Sequence, residues 1–175
     1  MSQISLVGAG PGPLELLTLR ALHRLEAAEV VVYDRLVGSE ILARIPHGAA
    51  RFDVGKRCGE PSPTQEEINA LLLALARTGK RVVRLKGGDP LVFGRGGEEA
   101  LHLARHGIEA ELVPGITAAL GCAASSFIPL THRGLARSLT LVTGHLMDER
   151  DYQGWQGLTR AGHTLVFYMG LERAA

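Results

Sequence analysis

The chain has 175 residues, 46% of them hydrophobic and 21% charged. That apolar share supports a packed core and excludes an intrinsically disordered chain, while the length allows one large domain or one and a fraction. Nineteen basic residues against 18 acidic ones leave a net charge of +1, with no basic stripe, which argues against a nucleic-acid partner.

Residues 4–7 read as a buried strand. Leu14, Leu16, Leu17, Leu19, Leu22 and Leu25 then recur at roughly helical spacing, with Arg20, His23 and Arg24 between them. Residues 30–33 (VVVY) are a second strand and residues 52–54 a weaker third, with a helical segment at 39–45 between them. Thr64 followed three residues later by Glu67 is a capping box that opens a helix through Leu75, which Gly79 ends. Residues 82–85 are strand-like, 98–106 helical up to Gly107, 112–113 a short strand, and 117–125 a helix of small residues. Residues 139–143 and 165–168 are further strands. Strands alternating with helices predict an α/β fold: a mostly parallel sheet with flanking helices. A boundary near residues 129–137 divides the chain into an N-terminal α/β domain, 1–132, and a linker with the start of a second α/β domain, 133–175. About forty residues cannot bury a core of their own. The tail is therefore expected to be incomplete or to pack on something else.

No run of about 18 apolar residues occurs, so no transmembrane helix is expected. The N-terminus has no basic leader. Cys58 and Cys122 stand far apart and in no CxxC pattern, which fits a reducing, cytoplasmic setting. No His, Cys or Glu cluster has metal-ligand spacing, so no metal is expected. Ser125 and Ser126 lie outside any G-x-S-x-G turn, which argues against a hydrolase triad.

Ligands in parallel sheets bind at the carboxyl ends of strands, so the loops there hold the candidate sites. Gly8-Ala9-Gly10-Pro11-Gly12 follows the first strand like a dinucleotide loop, with Asp34 where a ribose-binding acid would sit. Pro13 replaces the third fingerprint glycine, and two prolines remove N–H donors. A dinucleotide-binding oxidoreductase, a ligand-free turn and another nucleoside-like ligand all stay open. Asp34 at a strand end can act as a base or ligand contact, cap residues 39–45, or pair with Arg35. Lys56 in VGKR can donate a proton or clamp an anion, or be a solvated loop lysine. The stretch LKGGDPLVFGRGGEE is the most informative. Its glycines bare the backbone to a flat ligand, and Asp89 can accept from a hydroxyl or an amine. In VPGITAA, Thr117 can cap a helix and offer its hydroxyl to a ligand. His132 in PLTHRG can serve as an acid or base, or make a structural hydrogen bond.

Read in this order, VGAGPG, LLTLRAL, VVVYDRLV, VGKR, QEEIN, GKRVVRLKGGDPLVFGRGGEE, VPGITAA, IPLTHRG, LVTGH and TLVFYMG resemble the tetrapyrrole methylase family over nearly the whole chain. YDRLV, VGKR and THRG favour the members that act on uroporphyrinogen III. The resemblance implies a two-domain methyltransferase that takes S-adenosyl-L-methionine and releases S-adenosyl-L-homocysteine. It implies C-methylation of uroporphyrinogen III at C2 and C7, giving precorrin-2 for siroheme and cobalamin synthesis. By position, Pro11, Gly87, Gly88, Asp89, Val92, Thr117, Ala118 and Met169 match cofactor contacts. Asp34 matches a proton acceptor and Lys56 a proton donor. Arg35, Arg57, Arg95 and Arg133 are candidates to face the carboxylates of a polycarboxylate tetrapyrrole. The family also implies a homodimer. Members continue well past the segment matching Tyr168-Met169-Gly170, which implies an incomplete second domain here, and the loop CGEPSPT (58–64) departs from the family's pattern. A methylase of another tetrapyrrole, and a non-catalytic truncated domain, are the remaining alternatives.

Overall fold

A computed structural model describes residues 3–55, 62–144, 158 and 160–170. By contacts the chain forms two compact units, Met1–Ala118 and Ala119–Ala175. The division lies upstream of residue 132, inside the small-residue helix.

The first unit holds five strands: β1 (Ile4–Gly8), β2 (Val30–Tyr33), β3 (Ala50–Asp53), β4 (Val82–Lys86) and β5 (Glu111–Val113). All pair in parallel, in the order β3-β2-β4-β1-β5. β1, β2 and β4 are buried over almost their whole length, as strands covered on both faces require, while the edge strand β3 is exposed throughout. Helices α1 (Leu19–Glu26) and α2 (Ser39–Leu42) send Ala21, Leu25 and Ile41 into one core, against Val7, Val31, Val83 and Leu85. Helices α3 (Gln65–Ala76) and α4 (Gly96–Arg105) send Ile68, Leu72, Ala76 and Leu103 into a second core, against Ile4, Val30, Val32 and Val82. Successive strand residues therefore face opposite cores, as the two-residue period of a strand dictates. Arg24 on α1 grips Glu111 on β5 with two nitrogens, at 2.5 and 2.9 Å, and Ser5 donates to the same carboxylate at 2.8 Å. The Arg24 hydrogen bond holds the Glu111 carboxyl below the usual carboxylate range.

The leucine run from Leu14 forms two pieces and not one helix. Leu14–Leu16 is a single 3₁₀ turn, Leu17 is extended at φ −72°, ψ 135°, and Thr18 caps α1 by accepting from the Ala21 N–H at 3.2 Å. Pro13 starts the 3₁₀ turn from an extended backbone, and the threonine hydroxyl offers a better start one turn later. The capping box of α3 forms as expected: the Thr64 hydroxyl accepts from Glu67 N–H at 3.2 Å, and Glu67 accepts from Thr64 N–H at 2.7 Å. Thr64→Ala should cost about 1 kcal/mol, read as a lower urea midpoint with an unchanged slope. An unchanged midpoint would leave the box without energetic weight.

The second unit contains α5 (Ala118–Ser125), which begins at the last residue of the first, and the parallel pair β6 (Ser138–Thr143) and β7 (His163–Tyr168). The Tyr168 hydroxyl accepts from Ala119 N–H at 2.9 Å and so fastens the start of α5 to the end of β7. Most residues between these two strands lie outside the described ones.

Candidate functional site: the strand-end loops and Asp34

The chain leaves β2 toward β3 and leaves β4 in the opposite direction, toward β5. Neighbouring strands whose exits diverge leave a crevice at their carboxyl ends. Asp34 follows β2 on one side of it, and Gly87-Gly88-Asp89 follows β4 on the other.

Three loops beside this crevice are stitched together through backbone. Gly10 and Gly88 exchange two hydrogen bonds, at 3.1 and 2.8 Å, and Ala9 N–H donates to Lys86 O at 2.7 Å. Asp89 staples the loops with its carboxylate: Oδ1 accepts from Leu91 N–H at 2.8 Å and Oδ2 from Gly115 N–H at 3.1 Å. A carboxylate has about four acceptor sites, so this leaves capacity for a ligand. Such close approach needs glycine. A Cβ on Gly8 would lie 2.6 Å from Gly115 N and 2.7 Å from Gly88 O. The loop leading into α4 carries two non-glycine residues in the left-handed region, Phe93 at φ 51° and Arg95 at φ 57°. Backbone held this way persists only where its surroundings dictate it.

Asp34 is partly buried. Its Oδ2 lies 3.4 Å from Arg84 Nη2, and its Oδ1 is buried without a hydrogen-bond partner. It does not cap α2, and among the described residues its ion-pair partner is not Arg35 but Arg84. That arginine belongs to a buried charged cluster which sequence reading missed. Arg84, Lys86 and Glu99 are 3%, 4% and 0% exposed. Glu99 Oε1 accepts from Lys86 Nζ at 3.0 Å, Arg84 Nε at 3.2 Å and Gln65 Nε2 at 3.3 Å. Burial, and next the neighbouring Arg84, push the Lys86 ammonium below the usual lysine range, while Glu99 and Asp34 pull it the other way. The sequence does hold a signal: Arg84 and Lys86 alternate with apolar residues on a strand whose other positions are all buried.

Of the expected cofactor contacts, Gly87, Gly88, Asp89, Val92, Thr117 and Ala118 belong to these loops or their continuation, and Pro11 to the loop after β1. Gly88 (φ 66°) has Thr117 Cα and Ala118 N as the nearest atoms to its missing Cβ, both at 3.8 Å. Gly88 thus brings its backbone into van der Waals contact with the backbone of Thr117 and Ala118. Arg35 is exposed. Arg95 is held by Glu98 through two nitrogens, at 2.9 and 2.6 Å, so a substrate carboxylate would have to compete with Glu98 for it. Arg133 and Met169 lie in the second unit, both exposed, with Met169 in the left-handed region at φ 55°. Lys56 and Arg57 lie outside the described residues. A separate open depression of about 520 Å³ is lined by Pro13, Leu14, Glu15, Glu40, Ala43 and Arg44. Two acids against one base suit a polycarboxylate poorly. Among the described residues, no group of three His, Cys, Asp or Glu could hold a metal ion, and no helix is long and apolar enough to cross a membrane.

Residues 3–175 match the family model for Tetrapyrrole (Corrin/Porphyrin) Methylases. The chain belongs to the tetrapyrrole methylase family. Among its relatives is a siroheme synthase of Edwardsiella ictaluri (strain 93-146), 56% identical over 173 residues, which are 99% of this chain and 37% of the relative. The chain thus spans little more than a third of the length of that curated relative. Two solved tetrapyrrole methylase structures from Thermus thermophilus also match. A uroporphyrin-III-C-methyltransferase superposes with a TM-score of 0.78 at 51% identity, covering 97% of this chain and 68% of that one. A form complexed with S-adenyl homocysteine gives 0.76 at 46% identity, covering 97% and 71%.

Proposed function

We propose that the chain is the methyl-transferring part of an S-adenosyl-L-methionine-dependent tetrapyrrole methyltransferase. Its substrate in this reading is uroporphyrinogen III, methylated at C2 and C7 to give precorrin-2 for siroheme or cobalamin synthesis. A partly buried carboxylate with one unpartnered oxygen, set beside closely packed glycine loops at a divergent strand pair, carries the reading. The match to a Thermus relative complexed with the demethylated cofactor supports the choice of ligand.

Pro11, Gly87, Gly88, Asp89, Val92, Thr117, Ala118 and Met169 would hold the cofactor. When bound, it supplies an electrophilic sulfonium methyl group. The chain's own contribution is to hold the substrate's pyrrole carbon in line and to manage protons. Asp34 accepts a proton on the unpartnered Oδ1, and Lys56 returns one. General acid–base groups of this kind are worth about 10²–10⁴-fold each. Arg35, Arg57, Arg95 and Arg133 meet the substrate's carboxylates. Residues 1–132 serve as the domain that carries the loops, and 133–175 belong to a second α/β domain. A cytoplasmic homodimer completes the reading.

Calorimetry with S-adenosylhomocysteine, and NAD as the control, tests it. Selective micromolar binding of S-adenosylhomocysteine is expected. Binding of NAD alone would favour the oxidoreductase that the GAGPG loop and Asp34 also fit.

A further inference from the structure

Arg84 sits in the middle of the central strand, opposite Val32 on one side and Leu6 on the other. Leu6, Val32 and Val82 beside it are apolar, and Val82, two residues earlier, joins the core beneath α3 and α4. A valine or leucine would pack there without removing a full charge from water. Buried ion pairs rarely repay their desolvation, so stability alone gives no reason for a guanidinium at this position. Its three nitrogens are all engaged. Nε donates to Glu99 Oε1 at 3.2 Å, Nη1 to Leu85 O at 3.2 Å, and Nη2 points to Asp34 Oδ2 at 3.4 Å. The fork spans from the first turn of α4 to the end of β2. Lys86 is drawn to the same Glu99 oxygen at 3.0 Å. Among the described residues, Arg84 is thus the cation paired with Asp34.

We propose that Arg84 is a positioning residue that acts through Asp34, with Glu99 as its anchor. Glu99 fixes the guanidinium, the guanidinium takes up Asp34 Oδ2, and Oδ1 is left as the working oxygen. The proposal rests on the reading of Asp34 as proton acceptor. A planar fork is required, because one ammonium cannot reach Glu99 and Asp34 together.

Arg84→Lys, Glu99→Gln and Asp34→Asn, singly and with each of the first two combined with the third, separate the possibilities. The full chain is assayed for methyl transfer to uroporphyrinogen III, with thermal melting and S-adenosylhomocysteine binding as controls. Arg84→Lys keeps the buried charge, so the fold and ligand binding should persist. Its kcat should fall by about tenfold or more with KM nearly unchanged, since a small misplacement of a catalytic group is enough to cost that much. In the Asp34→Asn background the same change should cost less than about twofold, as residues acting as one unit are not additive. Glu99→Gln keeps an acceptor for the guanidinium and should repeat the pattern with a smaller loss of kcat, read below the melting temperature that the same controls set. Equal losses in both backgrounds, or a wild-type kcat for Arg84→Lys, would overturn the proposal while leaving Asp34 in its role. A wild-type kcat for Asp34→Asn would remove both.

Discussion

Replacing Glu99 by leucine is expected to destabilise the first unit by about 3–5 kcal/mol, the range for removing one partner of a buried ion pair. Arg84 and Lys86 share one oxygen of Glu99, and their side chains are 3% and 5% exposed. Leucine fills the space but strands two cations; among the described residues the remaining acid paired with either is Asp34, three-quarters buried and 3.4 Å from Arg84. The deficit should also depend on pH. Folded Lys86 titrates below the usual lysine range, held down first by burial and then by Arg84, while Glu99 pulls it up. Removing Glu99 lowers it further. Between the folded and unfolded values the unfolded chain binds more protons, so stability rises with pH through that window. The loss should therefore be largest at neutral pH and should shrink in alkali. Adding Lys86→Met should recover part of it by removing one stranded charge. Urea unfolding at neutral and alkaline pH measures this, and a loss under about 1 kcal/mol would mean that water or rearrangement solvates the cluster.

Why that cluster escaped a reading of the sequence is instructive. VVVY matched β2 residue for residue, because an all-apolar run covered on both faces announces itself locally. The Thr64–Glu67 box and the glycines at 79 and 107 bounded α3 and α4 for the same reason: caps are written within four residues. Arg84, Lys86 and Glu99 gain their meaning only once α4 lies across β4, and strand sequence says nothing of what covers it. The leucines from Leu14 showed the limit of periodicity. Spacing alone predicted one helix, but Pro13 and Thr18 divided it. At the site, glycine-rich strand ends were legible as loops that approach closely, yet which loops meet was not. Asp89 was legible as an acceptor, but its hold on Gly115 N–H spans 26 residues, with α4 and β5 between them. Asp34 was singled out by position, and its pairing with Arg84 is seen in the structure alone.

Gly115 offers the sharpest test of the stitched loops. Its backbone is not in the left-handed region, so the case for glycine here is space alone. A Cβ at this position would come within 3 Å of Gly8 Cα, Gly8 C and Gly88 O, all of them backbone atoms that no rotamer change can move away. Gly115→Ala must therefore spread the loops after β1, β4 and β5. Overpacking of this kind costs about 1–3 kcal/mol and sometimes more. The first bonds to suffer should be the Gly10–Gly88 pair and the Asp89 staple, which hold the floor on which the cofactor is proposed to lie. S-adenosylhomocysteine affinity should accordingly drop by more than the stability loss alone would bring about, since the fold can relax at the loops while the ligand cannot. Gly97→Ala is the matched control. It lies near the start of α4 with nothing within 4 Å of its would-be Cβ, and alanine in a helix is favoured over glycine by about 0.5–1 kcal/mol. That variant should be neutral or slightly stabilising and should bind as the parent does. If both alanines behave alike, the contact between Gly8, Gly88 and Gly115 is looser than its distances state, and the loops are free to bind their ligand without it.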